Sequence, residues 1–341
     1  METKNTYQPP FAITPAILRL IADISEAVGR ISAQTDGALD LRLRRLNRIR
    51  TIQGSLAIEG NTLSEEQITA LLDGKHVIAP PREIQEARNA IAAYDHLEQW
   101  EPANEKDLLN AHSILMAGLI DETGRYREKG VGVVDGKEVL HMAPPSGSVP
   151  YLMGDLFQWL QTTDHHPLVV SSVFHYEFEF IHPFADGNGR MGRLWQTLIL
   201  SRWTPIFLRI PVESIVYAHQ REYYYALRDS TRQRTVTPFL EFMLSTIRDA
   251  VFTTTPQVTP QVTPQVEQLL KILSGVGQAG LSRKELLDAA GLRDRKSFVE
   301  RWIAPALEAG LVGLTIPAKP KSRIQRYRIT DAGRILLNRQ A

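Results

Sequence analysis

Apolar positions recur at helical spacing along most of the first 250 residues. Ile17, Ile21, Ile24 and Val28 mark one helix, and Leu41, Leu46 and Ile49 mark another. The second falls in the run from Leu41 to Arg50, which fits a helix with one buried stripe and a solvated basic side better than a nucleic-acid or membrane face. Further helices are predicted over 83–100, 105–118, 151–161, 167–181 and 189–202. One stretch breaks the pattern. Over 131–142 two β-prone runs flank Asp135-Gly136, a dipeptide suited to tight hairpin turns, and Pro144-Pro145 stops the second strand.

At residue 255 the periodicity lapses. Thr255-Pro256-Gln257-Val258 is followed by two further copies of itself, ending at Val266. Proline at every fourth position prevents a continuing helix and favours an extended spacer. A recognition segment for another protein is the competing reading. Beyond it, helical patterns return over 266–273, 282–290 and 294–308, with Ser282 and Glu285 forming a capping box. Two β-prone runs, 312–316 and 325–329, close the chain around Pro317-Ala318-Lys319-Pro320-Lys321. Three short helices and a basic hairpin predict a winged helix-turn-helix. The expected fold is therefore mainly α. It divides into an N-terminal helical region (1–100), a helical core with the hairpin (101–250), a linker (251–265) and the winged helix (266–341).

The length of 341 residues agrees with that division, because one hydrophobic core rarely supports so many. No apolar run could span a bilayer, so no membrane partner is expected. Met1-Glu2-Thr3-Lys4-Asn5 lacks the pattern of a signal peptide. The absence of cysteine excludes disulfides, thiolate metal sites and thiol nucleophiles, and makes a cytoplasmic location the expectation. The net charge of +1 conceals a split. Residues 265–341 carry 14 Lys and Arg against 7 Asp and Glu, while the rest carries 25 against 31. An acidic body precedes a basic appendage.

The densest polar, glycine-bearing stretch runs from Ile181 to Arg193. Gly187-Asn188-Gly189-Arg190-Met191-Gly192 matches G-x-G-x-x-G, with Glu213 some way beyond. A dinucleotide fingerprint needs a strand running straight into the first glycine, and here residues 182–186 intervene. Phe174, Tyr176, Phe178 and Phe180 do alternate as a strand would, but Val170, Phe174, Phe178 and Ile181 fit a helix equally. A calcium loop fails as well, because Arg190 stands at the fifth ligand position. Phosphate chemistry accounts for the stretch better. Gly187, Asn188 and Gly189 tolerate positive φ and can aim successive N–H groups inward as an anion nest. The helix starting near Gly189 adds its positive end, and Arg190 and Arg193 share a face of its first turn. Asp186 amid this machinery reads as a Mg²⁺ ligand shared with bridging phosphates. His182 can take a proton from an incoming hydroxyl near neutral pH.

His182 to Arg193 resembles the Fic/DOC family signature H-P-F-x-[D/E]-G-N-G-R-x-x-R at every fixed position. The resemblance, over roughly 40–245, implies transfer of AMP from ATP to a hydroxyl of a target protein or of the chain itself. It implies His182 as general base and Asp186 as holder of Mg²⁺. Gly187, Asn188, Gly189, Arg190, Gly192 and Arg193 would bind ATP. The hairpin would be the family's flap, docking the target's backbone along Val139, Leu140, His141 and Met142. Gln220, Tyr224 and Tyr225 would lie on the adenine side, although the Tyr223-Tyr224-Tyr225 run reads equally as amphipathic core and rim. Related active sites also transfer other phosphate-containing groups.

Ser55-Leu56-Ala57-Ile58-Glu59-Gly60 resembles the family's inhibitory motif, placed on a helix at about 53–60. Ser55 and Glu59 are one turn apart, so the carboxylate can pair with Arg193 and withhold it from the γ-phosphate. In related proteins the same Glu orients water to remove AMP, so writing and erasing both stay open. The basic residues of the last domain are compatible with DNA binding, although Glu300, Trp302 and Glu308 dilute a base-reading face. Protein docking and homodimerisation stay open too. The alternative of another class is a DNA-binding regulator whose Fic-like domain senses nucleotide.

Overall fold

Helices dominate, in a computed structural model that describes residues 7–33, 37–135, 138–254, 264–276, 280–292, 294–308, 310–315, 322, 325–330, 333, 334 and 337. The chain forms two compact units, Met1–Thr255 and Pro256–Ala341. In the first, α1 (Pro15–Ala33), α2 (Gly37–Ile58), α3 (Glu65–Leu72), α4 (Pro81–His96) and α5 (Glu105–Leu115) lead to the hairpin β1 (Gly132–Asp135) and β2 (Glu138–Met142). Then follow α6 (Val149–Thr162), α7 (Pro167–Ile181), α8 (Asn188–Trp203), α9 (Val212–Ala218), α10 (Gln220–Gln233) and α11 (Thr237–Thr254).

The aromatic run that could alternate as a strand is α7, a helix buried on nearly every side. A helix apolar all round belongs in a core, and α6, α8 and α11 pack around this one. Most of its buried polar side chains have hydrogen-bond partners, some within the helix and some from distant segments. Ser171 and Ser172 donate to the Leu168 carbonyl, and Glu177 accepts from the Tyr7 hydroxyl at 2.8 Å. One continuous core runs from Ile17 to Val251, so 1–100 and 101–250 share it. No described helix is long and apolar enough to cross a membrane.

The hairpin forms where the Asp-Gly pattern places it, with residues 136 and 137 outside the described set. Val134 faces Val139 and Val133 faces His141, so the register skips Leu140 as a bulge.

The second unit contains α12 (Pro264–Ser274), β3 (Leu281–Ser282) and α13 (Arg283–Ala289). A third helical stretch runs through α14 (Arg295–Phe298), a π turn (Val299–Ile303) and α15 (Ala304–Glu308), before β4 (Val312–Leu314) and β5 (Arg326–Ile329). The Ser282–Glu285 capping box forms as expected. The antiparallel sheet has the order β3-β5-β4, and the two-residue β3 is too short to leave an alternation in the sequence. Trp302 is buried beside Phe298 rather than diluting an exposed face. The linker residues 255–263 and the stretch 316–321 lie outside the described residues.

Candidate active site

α7 ends at His182, whose backbone is left-handed (φ 51°, ψ 62°) and whose N–H bonds the Phe178 carbonyl at 2.9 Å. That conformation is uncommon for a residue with a Cβ. It turns the chain out of the helix and puts the imidazole at the head of the following loop.

The loop is pinned by groups that act on its backbone. Asn188 Oδ1 accepts from the Phe184 N–H at 2.8 Å and Nδ2 donates to the Phe184 carbonyl at 2.9 Å. Asn188 is thus spent on holding the loop closed. Phe184 is fully buried and stacks on His112 with ring centroids 3.7 Å apart. His112 Nδ1 accepts from the Gly124 N–H, so Nε2 carries the proton and donates to the Asp186 carbonyl at 3.0 Å. Burial lowers the His112 pKa to about 4, keeping that ring neutral. Arg127, also buried, donates to the carbonyls of Ile181, His182, Lys129 and Pro144. Lys129 and Pro144 flank the hairpin, so one guanidinium ties the hairpin's base to the histidine loop.

Gly187, at φ 85°, opens α8, and a Cβ there would collide with the Met116 sulfur. Asp186 Oδ1 accepts from the Gly187 N–H at 2.6 Å and from Arg190 at 3.3 Å, while Oδ2 lies 3.5 Å from Arg82. Its side chain stays 41% exposed, which leaves it open to a ligand. Arg190 is buried and its second charged neighbour is Glu86, at 3.6 Å. Gly192 seats α8 on α7, since a Cβ would press on Glu179 and His175 at 3.0 Å.

Arg193 is held from the α2 side. Nη2 donates to Glu59 Oε1 at 2.7 Å and to the Ser55 carbonyl at 2.9 Å, and Nε donates to Ser55 Oγ at 3.1 Å. Burial opposes its charge, yet Glu59 together with Tyr223 and Glu179 outweighs burial and raises its pKa. Glu59 lies so close to Gly189 that any Cβ there would strike Oε1. A carboxylate therefore sits at the first turn of α8, where the helix end favours an anion. The expected helical face ends one residue early: α2 stops at Ile58, and Glu59 reaches Arg193 from the turn that Gly60 completes at φ 87°. Gly54 lets α2 approach α9 closely, since a Cβ would come within 2.7 Å of the Glu213 and Ser214 backbone.

Gln220 Nε2 donates to the Ile58 carbonyl at 2.7 Å, bracing the same turn. The three tyrosines part company: Tyr223 is core, Tyr224 is half-buried, and Tyr225 is exposed between Arg221 and Arg228. Val139, Leu140, His141 and Met142 form most of β2, with their side chains outside the described set.

Sequence reasoning passed over Arg127, His112, Arg82, Glu86 and Glu179. Only Glu179 left a signal, as an acid inside an otherwise apolar helical run. It is buried against the back of the site, with Oε2 3.9 Å from His182 Nδ1 and Oε1 3.9 Å from His175 Nε2.

A model of the Fic/DOC family matches residues 102–200, and one described as "Filamentation induced by cAMP protein Fic-like, C-terminal domain" matches 264–330. The "Protein adenylyltransferase Fic" of Culex quinquefasciatus is 31% identical over 225 residues, covering 60% of this chain and 42% of that protein. Its Nematostella vectensis namesake is 29% identical over 209 residues, covering 56% and 45%. The chain thus spans less than half the length of these two relatives. The crystal structure of a Fic family protein from Desulfovibrio desulfuricans G20 shares 52% identity, covers 95% of this chain and 99% of its own, and superposes with a TM-score of 0.70. Fic-1 (residues 134–508) of C. elegans, at 23% identity and TM-score 0.60, shares the fold over 72% of this chain and 73% of its own.

Proposed function

The chain belongs to the Fic/DOC family, and on that premise we propose that it transfers AMP from ATP to a hydroxyl side chain of a protein, its own included. The observation that carries this reading is the Glu59 carboxylate on Arg193 at the first turn of α8. An anionic group already occupies that turn, and a buried guanidinium is aimed at it. A phosphate seated there would have the helix end and the Arg193 fork as partners.

In the proposed reaction the target hydroxyl attacks the α-phosphorus, its proton passes to His182, and pyrophosphate departs. The left-handed backbone of His182 presents its ring at the mouth of the loop, and Arg127 fixes the carbonyls on which that geometry depends. Arg190 and Arg193 would hold the β- and γ-phosphates. Asp186, whose side chain is 41% exposed, would hold a Mg²⁺ ion, which when bound would neutralise the phosphate charge. Among the described residues no group of three or more His, Asp or Glu converges on a metal site, so ATP would supply most of that coordination. The target would add its backbone to β2, since a two-stranded ribbon leaves an outer edge on each strand.

Glu59 is then a brake. It takes the guanidinium fork that the γ-phosphate requires, and must leave Arg193 before ATP can sit productively. The reading is tested by incubating wild type, Glu59→Gly and Glu59→Gly/His182→Ala with labelled ATP and cell lysate, then locating the label by mass spectrometry. AMP should appear with Glu59→Gly, less with wild type, and not with the double variant. Equal labelling by wild type and Glu59→Gly would remove the brake from this account.

A further inference from the structure

We propose that Glu179 is a positioning residue for His182: its buried carboxylate faces Nδ1, orients the ring, and stabilises the imidazolium formed when the ring takes the target's proton. The inference rests on His182 acting as the base.

Of the two histidines that face Glu179, only His182 has a ring proton to offer it. On α7, His175 Nδ1 lies 2.7 Å from Gln196 Oε1 and Nε2 lies 3.1 Å from the Tyr223 hydroxyl. Nδ1 therefore holds the proton, Nε2 accepts the Tyr223 hydroxyl's, and His175 has none to offer Glu179. Burial lowers the His175 pKa to about 3, so it does not acquire one. From α8, Gly192 leaves space for the carboxyl and Arg193 contributes positive charge; from the turn after α2, Glu59 contributes negative charge; from α10, Tyr223 stays neutral because burial raises its pKa. No group among the described residues donates a hydrogen bond to buried Glu179 Oε1, whereas the other acid of the helix, Glu177, has Tyr7. His182 Nδ1, 3.9 Å from Oε2, is close enough for a small ring rotation to bring it within bonding distance.

When His182 takes the hydroxyl proton at Nε2, the O–H bond breaks, the oxygen bonds to the α-phosphorus and the bond to pyrophosphate breaks. The ring then carries protons on both nitrogens, and Nδ1–H points at Glu179. A carboxylate at this distance favours the charged ring. Burial pushes the Glu179 carboxyl up to about 8, with Arg193 pulling it down and Glu59 pushing it further up. Removing Glu59 therefore frees Arg193 and favours ionised Glu179 in one move. The brake acts on the phosphate site and on the base together.

The test uses the full chain in the Glu59→Gly background, with and without Glu179→Gln. The His182 ring is titrated by NMR, its signal assigned through His182→Ala, and the rate of AMP incorporation is measured across ATP concentrations. Glu179→Gln should move the His182 midpoint to lower pH by about one unit and slow maximal incorporation about tenfold, with half-saturation by ATP unchanged. Glu179→Asp should retain part of both effects. An unmoved midpoint would overturn the proposal whatever the rates do, since loss of packing alone does not alter the ring's charge balance. If Glu59→Gly itself incorporates no AMP, the reading of His182 as base fails, and the midpoint still decides whether Glu179 governs the ring.

Discussion

The histidine loop and the turn at Glu59 lie on either side of the first turn of α8, and they are held in different ways. The loop is fixed from backbone to buried side chain: Asn188 grips both ends of Phe184, Arg127 gathers four carbonyls, and His112 bridges Gly124 to Asp186. The turn meets Arg193 through a carboxylate whose side chain is still 36% exposed, with Ser55 and Gln220 as braces. Buried bonds to backbone are expensive to lose, whereas a partly exposed ion pair exchanges readily for another anion. One anchorage preserves a geometry. The other is made to be displaced.

Substituting His182 tests the first anchorage most severely. In the Glu59→Gly background, His182→Ala should lower AMP incorporation by ~10²–10⁴-fold, the usual contribution of a general base, with the fold retained by circular dichroism. Arg127→Met should lower unfolding free energy in urea by ~3 kcal/mol, because several buried carbonyls lose their donor together. Glu59→Gly should raise incorporation by at least about tenfold and lower unfolding free energy by ~1.5 kcal/mol, less than Arg127→Met, because Ser55 still accepts from Arg193. A stability loss for Glu59→Gly as large as that of Arg127→Met would erase the contrast between the two anchorages.

The smallest effect is a pH slope. With Glu59 in place, folded Glu179 keeps its proton up to about pH 8, whereas the unfolded chain loses it near 4.5. The folded state then binds more protons between those values. Stability from this group is complete below the unfolded value and declines as pH rises towards 8. Urea unfolding from pH 5 to 8 should show that decline, and Glu179→Gln should flatten it by up to ~1 kcal/mol per pH unit. Glu177, raised to about 7 by burial and opposed by the Tyr7 hydrogen bond, adds a similar slope that the substitution leaves in place.

Periodicity located the long helices because each buries a stripe of contiguous sequence, and α7 falls on its expected limits. The motif was legible for a related reason, since Gly187, Asn188 and Gly189 carry backbone demands that few other residues meet. Arg127 and His112 were not, because their partners are carbonyls and amides distant in sequence, and nothing local marks an arginine that serves backbone rather than solvent. The Glu59–Arg193 pair was legible only through the complete motif downstream; 134 positions separate the two residues. Trp302 lies one turn from Phe298 and shares its buried face with Ala306, so an aromatic at that spacing belongs to the core of the second unit.

The left-handed backbone at His182 has an evolutionary consequence. A residue with a Cβ is strained there by ~1 kcal/mol or more, and glycine or asparagine would relieve much of that. The histidine is therefore kept against the grain of stability, for as long as chemistry is selected. In lineages that lose the chemistry, substitution at this position should run ahead of decay at Arg127 or Asn188, which the fold itself continues to need.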